Sequence, residues 1–443
     1  MTKALFCALV FLSILPNAIF AQPPVAVSPP PAAVISADNP KAFDPAAATK
    51  AWLDTVPADK RARSNAYFEG GYWLILWDFL MAVAISLFLL ASGLSARLRD
   101  FAERTSSIRP LQVAIYAVAF ILITSLLGFP LLVYEQFFRE HAYGLATQTF
   151  PQWFREQLIG LAINLIILPA LLIGLYRAFR KAPKTWWLWA SGGATLFLPI
   201  LFLLSPVFIE PLFNKYTPLT DTKISEPILA MARGNEIPVT RVFEVDASRQ
   251  TTRVSANVAG FLGTTRIALN DNLLKQCTLP EIREVMAHEM GHYVLNHTGK
   301  LIVDLAVFIF IIFAVARLTF NAAVKRWGAR WDVRGIADLA GLPLLVLISA
   351  TVLFVMTPMT NTFIRSSERE ADAFGLNTSR EADGMALVAL KLGSYRKLDP
   401  SPFEEAIFYD HPSGRTRIRM AMDWKAAQLP AGDGSLAKSS PQR

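Results

Sequence analysis

Cysteine is nearly absent: Cys7 and Cys277 are the only two in 443 residues. Cys7 falls in a segment that reads as a targeting sequence, so neither an internal disulfide nor a cysteine zinc cluster is expected. Charge is also scarce, at 18% of residues against roughly a quarter in soluble domains. Apolar residues reach 53% and gather into long runs, which points to a membrane protein. The net charge of +8 raises the question of a nucleic-acid partner. However, Lys and Arg cluster in short loops between apolar runs, where they orient a chain in a bilayer. The expected partners are therefore the bilayer and a substrate, with no nucleic acid; the sequence leaves the oligomeric state open.

Residues 1–21 have one Lys, an apolar stretch and Ala21 before Gln22. They read as a secretory signal peptide, with an uncleaved first transmembrane helix as the alternative. Residues 22–60, rich in Pro and Ala, read as an extended linker that buries no core. Six runs long enough to span a bilayer, about 20 residues each, follow: Tyr72–Leu94, Leu111–Tyr134, Leu158–Phe179, Trp186–Ile209, Leu301–Phe320 and Leu339–Thr360. Trp73, Trp77, Tyr134, Trp186, Trp187 and Trp189 lie near their ends, as interfacial aromatics do.

Segment 210–300 differs. VTRVFEVDA and TRIALND alternate like strands. LPEIREVMAHEMGHYVLNH has helical periodicity, with Thr278 as N-cap and Glu281 completing a capping box. The expected division is a membrane domain over 61–209, a catalytic part over 210–300, two spans over 301–360, a second catalytic part over 361–427 and a disordered tail over 428–443.

The motif that carries chemistry is His288-Glu289-Met290-Gly291-His292. Positions i and i+4 of a helix share a face, so both imidazoles can reach one metal ion, while Glu289 is placed to take a proton from the attacking water. Zinc suits this set because it accepts nitrogen and oxygen ligands and keeps a position open. With only 5 histidines in the chain, an ordinary polar helix face does not account for the pattern.

A hydrolytic site of this kind needs a third protein ligand. Glu368 is the candidate, with Asp372 four residues on along a helical stretch placed to accept the free N–H of a ligand histidine. Glu370 reads as solvated surface. Two spans separate the His pair from Glu368, so both halves return to one membrane face.

With these residues in view, the sequence resembles the type I CAAX prenyl endopeptidase family of integral-membrane zinc metalloproteases. The likeness lies in Pro211–Leu219, in Thr278–His297, in Arg365, Glu368 and Asp372, and in His411-Pro412-Ser413 with Arg417, and it covers roughly 60–425. It implies helices around a water-filled chamber, and one Zn2+ per chain on His288, His292 and Glu368. It further implies that His411 and Arg417 bind substrate or the developing oxyanion. Ala256-Asn257-Val258-Ala259 resembles an edge strand that pairs with the substrate backbone, with Asn257 as a substrate-binding residue. His297 is expected to pack or hydrogen-bond structurally, and His141 to lie in a loop over 135–156. Family members have seven spans, whereas six are expected here if residues 1–21 are removed.

The loops at 95–110, 177–184 and 321–338 each carry four Lys or Arg, which places them in the cytoplasm. The catalytic segments then face outward, toward the periplasm of a bacterial inner membrane, the reverse of the cytosol-facing site usual in the family.

The expected fold is a mainly α-helical polytopic membrane protein, with six or seven transmembrane helices and a zincin-like metalloprotease domain carrying a small β-sheet. The expected function is zinc-dependent endoproteolysis of peptides or membrane-protein segments. The alternatives are a quality-control protease for membrane proteins and, in another class, a transporter or channel with a structural zinc. Few charges lie within the spans, which argues against a transport path.

Overall fold

The computed structural model describes residues 43–260 and 265–429; the expected signal segment and most of the expected tail lie outside them. A short helix, α1 (Pro45–Asp54), precedes α2 (Ala58–Ala91) and α3 (Leu94–Thr105). The next helices are α4 (Arg109–Ala142), α5 (Phe150–Lys181) and α6 (Trp186–Leu212). After β1 (Tyr216–Pro218) come α7 (Thr222–Gly234), β2 (Val242–Val245), β3 (Ala256–Ala259), β4 (Arg266–Asn270) and α8 (Asp271–Gln276). The chain closes with α9 (Leu279–Val294), α10 (His297–Trp331), α11 (Leu342–Ser379), α12 (Ala382–Leu392), α13 (Pro402–Phe408) and α14 (Gly414–Gln428).

Six helices among the described residues are long and apolar enough to cross a membrane: α2, α4, α5, α6, α10 and α11. Each touches the next in that order, and α11 returns to α2, so they form a ring. Leu126, Ile166, Leu196, Leu318 and Val355 are each at least 70% exposed, an outer surface that suits lipid and not water. One end of the ring is filled by Leu89, Leu90, Tyr116, Tyr176, Phe179, Trp186 and Phe320. There the buried Arg99 donates to Asp332 (2.7 Å) and Asp338 (3.0 Å), tying α3 to the loop between α10 and α11.

Most of these helices outrun the apolar stretches that announce them. Hydropathy reports only the part within lipid, whereas the helix continues through polar turns that pack on protein. Loop 135–156 is thus corrected: α4 continues through a π turn, Tyr134–Phe138, to Ala142. His141 is helical, and its two ring nitrogens bond to the Phe137 and Gln148 carbonyls. The linker expectation for 22–60 is also corrected over 43–60, its earlier part lying outside the described residues. Asp44 caps α1, whose Trp52 and Leu53 are buried with Val56 against Leu376, Met385, Ile418 and Met422. Proline at the first helical position suits a helix start, so the composition of the segment concealed a helix.

At the open end of the ring, a four-stranded sheet in the order β1-β2-β4-β3 backs α9. β2 and β4 are parallel and the other pairs antiparallel, leaving β3 at an edge. Ile282, Met286 and Met290, at helical spacing on α9, join Ile267 and Leu269 of β4 in one core. The opposite face of α9 is thereby turned toward α11.

Candidate metal centre

Local signals at the start of α9 are satisfied as the sequence suggests. Glu281 accepts the Thr278 backbone N–H at 2.7 Å, and its carboxylate pairs with Lys391 of α12. Two glycines then let α9 and α11 approach. A Cβ on Gly291 would lie 3.2 Å from the Ala371 Cα, and one on Gly375 would lie 3.2 Å from the His288 backbone N.

The contact brings His288, His292 and Glu368 together, with one donor atom of each within 4.8 Å of the others. His288 Nε2 lies 3.1 Å from His292 Nε2 and 3.4 Å from Glu368 Oε2; His292 Nε2 is 3.5 Å from Glu368 Oε1. His288 Nδ1 is 2.9 Å from Asp372 Oδ1, so its N–H donates to that carboxylate and its Nε2 lone pair is left for the convergence point. This donor set fits a zinc ion: two imidazole lone pairs and a carboxylate meet, with the N–H of His288 turned away. The field agrees. Burial works against a charge on His288, but Asp372 and Glu368 outweigh it and raise its pKa to about 10, so the ring holds a second proton that a metal ion displaces on binding. Burial and the neighbouring His288 hold His292 down at about 3, neutral and able to ligate. A cation between these groups is favoured.

Glu289, next to His288 in the chain, feels the charges of His288, Glu368 and Arg417. Burial pushes its carboxyl up to about 7, against the lowering effect of His288; that is the range in which a carboxylate can both take and return a proton near neutrality.

The remaining expected residues separate into two groups. His411 is in the cluster, with Nε2 at 3.3 Å from Glu368 Oε2 and Nδ1 at 2.8 Å from Asp410. Arg417 of α14 is also there. It is buried and committed to protein carboxylates, donating from Nε to Asp372 (2.9 Å) and from Nη2 to Glu368 (3.1 Å). Its guanidinium therefore faces Asp372 and Glu368 and is 8% exposed. Asn257 stands on β3, paired with Ala268 of β4, and its Oδ1 is buried without a hydrogen-bond partner. Asp410 escaped the sequence reading; its one signal is that it directly precedes the His-Pro pair.

Comparison with known proteins agrees with this geometry. The model of peptidase family M48 matches residues 218–425. A second model, the CAAX prenyl protease N-terminal region with five membrane helices, matches residues 45–215. An uncharacterized metalloprotease, YhfN, of Bacillus subtilis is 32% identical over 356 residues, covering 77% of this chain and 82% of its own. The chain belongs to peptidase family M48. Another M48 relative, a CAAX prenyl protease 1 homolog of Arabidopsis thaliana, is 28% identical over 66% of this chain and 68% of its own. The crystal structure of S. mikatae Ste24p shares the fold, with a TM-score of 0.70 over 84% of this chain and 90% of that one, at 21% identity. This M48 member is a membrane-embedded metalloendopeptidase. The N-terminal model's name gives five membrane helices, whereas the matched stretch here holds four of the six spans.

Proposed function

We propose that this M48 protein is a zinc endopeptidase, with one ion held by His288, His292 and Glu368, that cleaves peptides or membrane-protein segments at the outer face of a bacterial inner membrane. What carries the reading is the convergence of three ligand atoms within 4.8 Å, with the His288 N–H turned away onto Asp372. When bound, zinc polarises the scissile carbonyl and makes the attacking water more acidic.

The chain's own groups do the rest. Glu289 takes the proton of the attacking water and returns it to the leaving amine. Asp372 fixes the His288 tautomer, and Arg417 locks Asp372 and Glu368 in register. His411, partly exposed beside Glu368 and not needed as a ligand, serves the oxyanion or the substrate carbonyl. An extended peptide adds along the free edge of β3, near Asn257. Support for entry from the ring comes from Ser125, Gln157, Asn164 and Asn361, which place buried, unpartnered polar atoms on spanning helices, where an interior of lipid-like polarity would not keep them. The CAAX prenyl proteases among the relatives point to a narrower substrate class; an exported site favours unmodified membrane-protein segments, the substrates of quality control.

The deciding measurement pairs catalysis with metal content in detergent-purified full chain. Glu289→Gln should lower cleavage of a peptide library by about 10²–10⁴-fold and keep its zinc, whereas Glu368→Ala should lose zinc. Undiminished cleavage by the Gln variant removes Glu289 from the reaction.

A further inference from the structure

His297 hydrogen-bonds within the protein, as expected, and its partner is Glu370, whose half-exposed side chain was expected on a solvated surface. His297 is 5% exposed. Its Nδ1 lies 2.9 Å from His292 Nδ1, and its Nε2 lies 3.2 Å from Glu370 Oε2. Glu370 also pairs with Lys300. The backbone is built for this return. Helix α9 ends at Val294, Asn296 takes a left-handed conformation at φ 52° and caps α10 through its side chain, and His297 follows directly. Asparagine tolerates that conformation, so the chain reverses in one residue and sets the two rings 4.9 Å apart at 72°.

The hydrogen-bond network assigns the protons. A carboxylate only accepts, so His297 donates from Nε2 to Glu370, and in the neutral ring Nδ1 then carries a lone pair. An N···N contact of 2.9 Å needs one hydrogen, which comes from His292 Nδ1. The lone pair of His292 is thereby fixed on Nε2, the atom that meets His288 and Glu368. The two ligand imidazoles are oriented by different devices: His288 by Asp372 directly, His292 through a second imidazole to Glu370. Both carboxylates come from α11, two and four residues beyond Glu368 in the order Glu370, Asp372.

We infer that His297 and Glu370 form a positioning relay that sets the tautomer and ring orientation of His292 and so tightens the metal site. This rests on His292 being a ligand. Outer partners of ligand histidines commonly contribute about 10–100-fold in metal affinity.

The test is zinc competition with a chromophoric chelator on the full chain in detergent, with the visible spectrum of the cobalt-substituted protein as a second readout. His297→Phe should raise the zinc dissociation constant by about 10–100-fold and shift the cobalt bands. His297→Gln, whose amide oxygen can accept from His292 Nδ1, should recover part of that loss. Glu370→Ala, at a half-exposed position, should weaken zinc without threatening the fold, and Lys300→Ala, which leaves the His297 contact intact, should match the wild type. Should His297→Phe compromise the stability of the metal-stripped chain, Glu370→Ala against Lys300→Ala decides. Wild-type zinc affinity in both His297→Phe and Glu370→Ala, alongside loss of zinc in His292→Ala, overturns the relay and leaves the zinc reading standing. Unchanged affinity in His292→Ala overturns the zinc reading itself.

Discussion

Glu284 lies one turn before His288 on α9, 3% exposed, and accepts the Ser379 hydroxyl. Burial pushes its carboxyl from 4.5 up to about 7, only partly opposed by Ser379 and His288. The folded chain therefore holds a proton that the unfolded chain has lost across that window. Stability from this group is full below about pH 4.5 and falls as pH rises toward 7, by an amount on the order of 3 kcal/mol at most. Glu284→Gln keeps the shape and an acceptor for Ser379 while removing the ionisation. Its thermal midpoint in detergent should match the wild type near pH 5 and exceed it at pH 8. An identical decline with pH in both proteins would show that Glu284 is not the titrating group. Single residues were legible from sequence where a spacing rule names them, as with His288, Glu289 and His292, or a family motif does, as with Glu368 and Asp372. Glu284, His297 and Asp410 were not, because their importance comes from the element packed opposite, which no local pattern encodes.

At the level of elements, the site depends on how closely α9 and α11 approach. Gly375 is the tightest point: an added Cβ would lie 3.2 Å from the His288 N and 3.3 Å from its Cα. Backbone cannot rotate aside as a side-chain end can, so Gly375→Ala must move one helix, at about 1–3 kcal/mol of overpacking. Glu368 and Asp372 lie on the same helix two turns and one turn earlier, respectively, and their donor geometry moves with it. The expected result is a lower thermal midpoint together with a zinc dissociation constant raised at least about tenfold; a stable variant with wild-type zinc affinity would show that the approach does not set the site. The capping box at Thr278 and the strand alternation were readable because both are local. The α1 helix was not, since Pro and Ala announce a linker by composition and only Trp52, Leu53 and Val56, buried against α11, α12 and α14, show otherwise. The lengths of the spanning helices were misjudged for a related reason: hydropathy marks where lipid is, not where the helix stops.

For the whole molecule, one arrangement links orientation to chemistry. The loops bearing Arg97, Arg99, Arg104 and Arg109, then Arg177, Arg180, Lys181 and Lys184, then Lys325, Arg326, Arg330 and Arg334 all belong to one end of the ring. Contacts between them prove the grouping: Arg99 reaches Asp332 and Asp338, and Tyr176 donates to the Asp338 carbonyl at 3.4 Å. The metal centre, the sheet and α1 occupy the other end. α1 leads directly into the first spanning helix and packs on α14 of the catalytic part, so the N-terminal segment and the site share a side. Positive charge of short loops stays in the cytoplasm, which is the basis for the proposed orientation with the metal centre outside, the same side that an exported N-terminus would reach. The expected outcome is concrete: alkaline phosphatase fused after residue 429 should be active in cells, and fused within 327–336 it should be inactive. The reverse pair of activities would turn the molecule over, and with it the class of substrate, from segments exposed outside the cytoplasm to those presented within it.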